Sequence, residues 1–217
     1  MTTTDLPCPR FARMYPRFAA KADRAGAAQH RHHLLDGLAG TVVEVGAGHG
    51  ANFSYYPTTV RQVLAVEPEP TLRAAAEAAA PDAPVPVRVL AGVADALPLE
   101  DASVDAAVVS LVLCSVPDQD RALAELKRVL RSGGELRFYE HVLPRCQPKR
   151  TLFTVADRSG LWPRLAGGCH PARDTGAAIE RAGFQILTGE RIGFRVSRLE
   201  PRTPYILGTA VLPGAAR

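Results

Sequence analysis

The chain has 217 residues, of which 47% are hydrophobic, and its net charge is +4, which is typical of one soluble globular domain. No apolar stretch approaches the ~18 residues of a membrane span, no run of like charges indicates nucleic-acid binding, and the N-terminus lacks the apolar core of a secretory signal. Cys8, Cys114, Cys146 and Cys169 lie far apart and form no CxxC pair. This spacing argues against a zinc site or a disulfide framework and favours a reducing, cytoplasmic setting.

The first third of the chain changes from helical to alternating patterns. Residues 10–39, rich in Ala, Arg and His, predict one or two helices broken near Pro16. Short apolar, β-branched runs then alternate with helical stretches. Strands are predicted at 41–45, 61–67, 85–92, 104–113 and 134–141, with helices at 70–80 and 119–131. This alternation predicts parallel βαβ units and therefore an α/β fold with a doubly wound sheet.

The last third predicts the end of the same domain. A helix is expected at 174–184, and closing strands are expected at 185–190 and 205–212. Segments near 143–148 and 160–171 contain Pro and Gly and are predicted to be loops over one end of the sheet. No internal repeat or domain boundary is evident, so residues 1–217 are predicted to form a single domain.

Three glycines follow the first predicted strand in the stretch "TVVEVGAGHGANF". Gly46, Gly48 and Gly50 permit positive φ angles and close approach of a ligand to the backbone. Because ligands of doubly wound sheets bind at the carboxyl ends of the strands, this loop predicts a nucleotide-like ligand. Glu67, about twenty residues further on, ends the second strand, where an acid can accept hydrogen bonds from ribose hydroxyls. The spacing Gly-x-Gly-x-x-Ala also fits the dinucleotide pattern, so a nicotinamide-dependent oxidoreductase is the alternative.

Two further acids help to distinguish the ligands. Glu44 stands in an apolar strand end, and a buried carboxylate needs a partner. It would suit the cationic amino-acid tail of S-adenosylmethionine (SAM) better than a pyrophosphate; the alternative is a structural carboxylate that caps the next turn. Asp95, just beyond the third strand, could accept from an adenine amino group while the backbone at Ala94 bonds a ring nitrogen. It could equally be a turn aspartate.

Four motifs in order resemble the class I SAM-dependent methyltransferases: "VVEVGAGHG", "AVEPEP", "ADALPLEDASVDAAV" and "LKRVLRSGGELRFYEHV". Together with "GANFSYYP" and "GCHPARDTGAAIERAGF", they resemble the branch that contains the alkyl thiol S-methyltransferases of animal membranes, over roughly residues 38–212. The resemblance implies a Rossmann-like, seven-stranded sheet with the last strand antiparallel and helices on both faces. It departs in two places: the hydrophobic N-terminal anchor of membrane-bound members is missing, and Gly92 is followed by Val93 where many relatives have aspartate.

The resemblance also implies a cofactor site for SAM. The residues predicted to contact SAM are Glu44, Gly46, Ala47, Gly48, Gly50, Asn52, Glu67, Pro68, Ala94, Asp95, Ser110 and Leu111, with Tyr15 reaching over the cofactor from an N-terminal helical lid at 1–39. No metal is predicted. The expected partner is a small-molecule acceptor, with no nucleic acid and no integral membrane segment, and the chain is expected to be a monomer or homodimer.

The expected reaction is methyl transfer by in-line displacement, which depends mainly on orientation of the reactants. A hydroxyl acceptor would need a strong base, whereas a thiol is already partly ionised. His141 and His170 are the candidate bases, and Cys114 is interpreted as a buried apolar residue. Residues 143–172 are predicted to cover the substrate, with Phe153, Leu161 and Trp162 forming an apolar lid or packing on the sheet edge. A small, hydrophobic thiol or phenol is therefore the expected acceptor, and a SAM-binding module without activity is a further alternative.

Overall fold

The computed structural model describes residues 6, 8–160, 162, 164, 168–198, 200 and 202–214. Leu161 lies outside them. The helices are α1 (Pro9–Ala22), α2 (Ala28–Leu35), α3 (Pro70–Ala79), α4 (Gln119–Val129), α5 (Gln147–Arg158) and α6 (Thr175–Arg181). The strands are β1 (Gly40–Val45), β2 (Val60–Val66), β3 (Val87–Leu90), β4 (Val104–Ser110), β5 (Leu130–His141), β6 (Gln185–Phe194) and β7 (Thr203–Val211).

The seven strands form one sheet in the order β3-β2-β1-β4-β5-β7-β6. Strands β1 to β5 pair in parallel, and β7 pairs antiparallel with both β5 and β6. The order reverses between β1 and β4, which is the switch point where doubly wound sheets bind their ligands. The predicted α/β architecture and the antiparallel last strand are confirmed.

The sheet is buried on both faces because its β-branched strands present apolar side chains to each side. In β1, Val43 and Val45 pack into one core with Leu123 of α4 and Ile179 of α6. Val42, one residue out of phase, packs on the opposite face with the leucines of α2. Successive strand residues point to opposite faces, so this alternation requires helices on both sides of the sheet, as predicted.

Three local predictions were wrong. Pro16 lies inside the continuous helix α1. The chain bends instead at Gly26, whose φ of 123° is an angle that glycine adopts readily and other residues rarely do. Strand β4 ends at Ser110 rather than at residue 113 because Leu111 adopts a left-handed φ of 62°. The substrate-covering segment predicted at 143–172 is not all loop, because residues 147–158 form helix α5, which has Pro148 in its first turn.

None of the described helices combines the length and the apolar character that crossing a membrane requires.

Candidate active site

A cavity of about 1020 Å³ lies at the carboxyl ends of the parallel strands. Its walls come mainly from the segments that follow β1 to β5, from helix α1, and from the start of β7. Of the predicted cofactor residues, the cavity is lined by Tyr15, Gly46, Gly48, Glu67, Pro68, Ala94, Asp95, Ser110 and Leu111. The structure therefore brings nine of them together, and the other predicted cofactor residues lie behind this wall.

The glycine loop is held against the end of β2. Gly46 donates its N–H to the carbonyl of Val66 at 2.8 Å, and Gly48 donates to Glu67 Oε2 at 2.7 Å. Their φ angles of 69° and 59° are ones that side-chain-bearing residues rarely adopt. Ala47, which is buried, also donates to Val66 from the inner side of the loop. The loop thus presents bare backbone to the cavity.

Gly50 has a different role from the other two glycines. A Cβ atom at this position would lie 2.7 Å from the ring of Phe53. Gly50 does not line the cavity, so close packing on Phe53, together with its φ of 84°, accounts for this glycine.

Glu67 is 5% exposed, and its carboxylate lies at the cavity wall. Oε2 accepts from Gly48 and Oε1 accepts from the N–H of Glu69. Burial raises the pKa of the Glu67 carboxyl, while the two backbone hydrogen bonds oppose that rise. A carboxylate offers about four acceptor positions, so two remain for hydroxyl donors from the cavity.

Glu44 lies behind the loop in a polar network. Its carboxylate accepts from Asn52 Nδ2 at 2.8 Å and from the Tyr56 hydroxyl at 2.9 Å. Asn52 Oδ1 in turn accepts from Arg31, which also pairs with Asp23 at 2.9 Å. Burial raises the pKa of Glu44 to about 7 despite these partners. Neither Glu44 nor Asn52 lines the cavity, so any influence on a bound cation acts across the loop.

The third strand places Asp95 and Ala94 on the cavity wall. Both side chains are partly buried, and the turn is closed by the N–H of Ala96 donating to the carbonyl of Val93. Gly92 is buried under Val66 and Pro98, which lie 2.9 and 2.8 Å from the position of a Cβ. The glycine before Val93 is therefore a packing requirement, and the adenine role of Asp95 stays a prediction.

A carboxylate that the sequence interpretation missed fixes the loop after β4. Glu140, in β5, is fully buried and accepts backbone N–H groups from Val112, Leu113 and Cys114 at 2.9–3.0 Å. Burial raises the pKa of Glu140, and the three backbone hydrogen bonds oppose that rise. It holds Val112 and Cys114 at the cavity, and an acid inside a buried strand is the signal that could have revealed it, as it did for Glu44.

Helix α1 covers the cavity. Tyr15 lies over the glycine loop, where a Cβ on Gly48 would come within 3.1 Å of its ring. Phe11, Met14 and Phe18 line the same wall, and Leu6 donates its N–H to the carbonyl of Pro68 at 3.1 Å. This arrangement fits the predicted lid, whose role remains a prediction.

The other end of the cavity contains an imidazole and two thiols. His141 Nδ1 lies 3.3 Å from Cys169 Sγ and 3.8 Å from Cys114 Sγ. The hydrogen bond from Cys169 raises the pKa of the Cys114 thiol, and burial raises it further. The fold thus brings Cys114 and Cys169 together, with their sulfurs 3.7 Å apart, although they are distant in the sequence.

His170 is not brought to the cavity. Its Nδ1 lies 2.9 Å from Asp157 in α5, and its backbone N–H donates to the carbonyl of Cys114. Trp162 does line the cavity, whereas Phe153 contacts Trp162 with ring centroids 6.5 Å apart and does not. The geometry thus favours His141 over His170, and Trp162 over Phe153.

Comparison with known proteins agrees with this site. Residues 43–138 match the family described as "Methyltransferase domain". The chain is 37% identical to thiol S-methyltransferase TMT1A of Homo sapiens, over 79% of this chain and 70% of that protein. It is 35% identical to thiol S-methyltransferase TMT1B of Mus musculus, over 82% of this chain and 73% of that protein.

Solved structures share the fold. A SAM-dependent methyltransferase of Thermotoga maritima, described as a possible histamine N-methyltransferase, has a TM-score of 0.70 at 22% identity and covers 94% of this chain and 97% of its own. The [4+2]-cyclase SpnF has a TM-score of 0.74 at 19% identity and covers 95% and 94%. These low identities show the fold alone, whereas the relatives above 30% identity show the family. The chain is a SAM-dependent methyltransferase and belongs to the family that includes the thiol S-methyltransferases.

Proposed function

We propose that this enzyme transfers the methyl group of SAM to the sulfur of a small, apolar thiol. The observation that carries the proposal is the contrast between the two ends of one cavity. Backbone, Glu67 and Asp95 line the end over β1 to β3, and apolar side chains with Cys114, His141 and Cys169 line the end over β4, β5 and β7. The thiol acceptors named for the relatives supply the substrate class.

The adenosyl part of SAM fits the first end. The loop offers bare backbone at Gly46 and Gly48, and Glu67 has acceptor positions left for two ribose hydroxyls. Asp95 lies on the wall where an adenine amino group would be met. SAM supplies an electrophilic methyl group, and these residues bind and orient the molecule that carries it.

The acceptor end suits a nucleophile that ionises readily. Among the described residues that line the cavity, the carboxylates are Glu67, Asp95 and the exposed Glu200. Glu140 is occupied by three backbone amides. His141 is therefore the one base placed beside the acceptor, which is sufficient for a thiol with a pKa near 8.5 but poor for an alcohol.

The chain contributes mainly by alignment and exclusion of water. Phe18 and Met14 of α1 and Trp162 on the far side present apolar surface to the acceptor. Holding the nucleophile in line with the methyl group can supply roughly 7–11 kcal/mol of the barrier reduction. The predicted cytoplasmic location is compatible with the free thiols of Cys114 and Cys169.

Transfer of tritiated methyl from SAM to a panel of apolar thiols, phenols and amines tests the proposal. We expect product from thiols first. Calorimetric titration with S-adenosylhomocysteine, NAD and NADP supplies the control, with binding expected for S-adenosylhomocysteine alone. More product from amines or phenols than from thiols would show that the proposed acceptor class is wrong. Binding of S-adenosylhomocysteine without product from any acceptor would identify an inactive SAM-binding module.

A further inference from the structure

The two thiols and the imidazole at the acceptor end form a compact group. Cys114 follows β4, His141 ends β5, and Cys169 precedes α6, so three distant segments meet here. Cys169 Sγ lies 3.7 Å from Cys114 Sγ, and His141 Nδ1 lies 3.3 and 3.8 Å from the two sulfurs. Cys114 is 0% exposed and Cys169 is 5% exposed. These donor atoms could share one metal ion.

The distances agree with those around tetrahedral zinc. Zn–S bonds of about 2.3 Å and Zn–N bonds of about 2.0–2.1 Å at tetrahedral angles place two sulfurs about 3.8 Å apart and sulfur and nitrogen about 3.6 Å apart. The observed sulfur–sulfur distance is 3.7 Å, and the two sulfur–nitrogen distances lie on either side of the expected one. Two soft thiolates and one imidazole are a donor set that selects zinc over magnesium or calcium.

The surrounding chain fixes each donor. Glu140 holds the backbone of Cys114 at 3.0 Å, and the N–H of His170 donates to the carbonyl of Cys114 at 2.7 Å, which ties the Cys169 segment to it. The ring of Tyr205 packs on His141 with centroids 4.3 Å apart. The donors are therefore held in position by contacts with the surrounding fold, as in sites whose outer contacts orient the ligands.

Three protein ligands leave one coordination position, and all three residues line the cavity. Zinc sites with three protein ligands and an open position are typical of catalysis, whereas closed sites with four are structural. We propose that Cys114, His141 and Cys169 bind a zinc ion whose fourth position receives the sulfur of the acceptor thiol. This inference rests on the proposed function for the identity of the fourth ligand.

The chemical step balances without a redox partner. With a metal bound, His141 acts as a ligand and its role as base is not needed, because the acceptor thiol releases its proton to solvent when its sulfur binds the cation. A lone pair of that sulfur forms the bond to the methyl carbon, and the bond from this carbon to the sulfonium breaks, leaving its electron pair on the departing sulfur. The products are a methyl thioether, S-adenosylhomocysteine and one proton. A neutral thioether is a weaker ligand than a thiolate, so the product leaves the metal.

A disulfide between Cys114 and Cys169 is the competing interpretation. Their sulfurs are 3.7 Å apart, against about 2.05 Å in a disulfide, so bonding them would require movement. A disulfide does not need the imidazole that lies beside both sulfurs, whereas a zinc site uses it as the third protein ligand.

The first test is metal stoichiometry. We expect about one zinc ion per chain after zinc titration and desalting, measured by elemental analysis. Cys114→Ser, Cys169→Ser and His141→Ala should each lower it to less than a tenth, while Cys8→Ser and Cys146→Ser, which change exposed cysteines, should leave it unchanged. Cobalt substitution of the unmodified protein should give a thiolate-to-metal charge-transfer band, a readout that requires no variant to fold.

Addition of an apolar thiol to the cobalt protein should shift that spectrum, and the shift should be absent with the matching alcohol. A folded protein that binds S-adenosylhomocysteine but retains no zinc and shows no charge-transfer band overturns the metal site and leaves the proposed function standing. An intact mass lower by two hydrogen atoms in the unreduced, metal-free protein that carries both Cys8→Ser and Cys146→Ser assigns the remaining pair to a disulfide instead. Zinc binding without methyl transfer to any thiol overturns the proposed acceptor while the metal site stands.

Discussion

The end of the cavity proposed to bind the cofactor rests on β1, β2 and β3, whereas the end proposed to bind the acceptor rests on β4, β5 and β7. The first is built mainly from residues 45–95, in which the glycine loop, Glu67 and Asp95 each follow the end of one strand within five residues. The second combines Cys114, His141, Cys169 and Tyr205, which are far apart in the chain. The comparison shows that the proposed cofactor end is formed by residues that are near one another in the sequence. The proposed acceptor end is formed by residues that only the tertiary structure brings together.

Gly48→Val is the substitution with the largest expected effect, because it should disable the cofactor end alone. A Cβ here lies 3.1 Å from the Tyr15 ring, and the added γ-carbons project into the space above the loop. We expect loss of S-adenosylhomocysteine binding by at least about a hundredfold, which is about 2.7 kcal/mol, in calorimetric titration.

Gly133→Val is the matched control for this substitution. Gly133 has a positive φ of 78°, and none of the residues that the structure describes lies within 4 Å of its Cβ position. Gly133→Val introduces the same kind of backbone strain away from the glycine loop. This variant should therefore bind S-adenosylhomocysteine with normal affinity. Retained cofactor affinity in Gly48→Val would show that the loop does not carry the ligand.

Glu44 should make stability depend on pH. Its folded-state pKa is raised to about 7, so stability from its neutral form is present below the usual value near 4.5 and is lost as pH rises through 7. The free energy of unfolding should therefore fall by about 3 kcal/mol between pH 4.5 and 8 through this group. Urea unfolding at several pH values measures how the free energy of unfolding changes with pH. Glu44→Gln should remove the part of this pH dependence that Glu44 causes. The same pH dependence in both proteins would contradict the raised pKa of Glu44.

Glu140→Gln should affect the acceptor end. The amide NH₂ replaces one oxygen and faces a backbone donor, so we expect a loss of about 2 kcal/mol in unfolding free energy and weaker acceptor binding. S-adenosylhomocysteine affinity should change less than twofold. Glu135→Gln, on the same strand but paired with Arg137 near the surface, is the control. Equal losses of cofactor and acceptor binding would mean that the two ends are not independent.

Glu67→Gln should give the smallest effect. The amide NH₂ would face the N–H of Gly48 or Glu69, which loosens the loop, and one ribose hydroxyl loses its charged acceptor. The lost acceptor is worth about 1–1.5 kcal/mol, so the dissociation constant of S-adenosylhomocysteine should rise about tenfold. Glu77→Gln, exposed on α3, should leave it unchanged. An unchanged dissociation constant in Glu67→Gln would show that Glu67 does not bind the ribose.

The sequence predicts the strand ends and the glycine loop that line this part of the cavity, because strand periodicity and glycine spacing are contiguous signals. It places Gly46, Gly48 and Glu67 on the right strand ends. It does not reveal that Cys114 and Cys169 meet, because their approach depends on how the segment before α6 folds across β4 and β5. Pro16 was misleading because a helix in contact with the rest of the protein can include a proline, whereas the chain bends at Gly26, in the segment Asp23–Ala27 that follows α1.

Strand β7 is the last strand along the chain but not the last across the sheet: it lies between β5 and β6 and pairs with β5 from Glu135 to His141. Synthesis runs from the N-terminus. The edge of β5 that pairs with β7 in the finished sheet therefore stays unpaired until residues 203–211 have left the ribosome. An exposed, apolar strand edge invites wrong pairing between nascent chains. The cofactor end can be complete on the ribosome while the acceptor end is still open, so chaperone dependence during biosynthesis should concentrate on the β5–β7 seam.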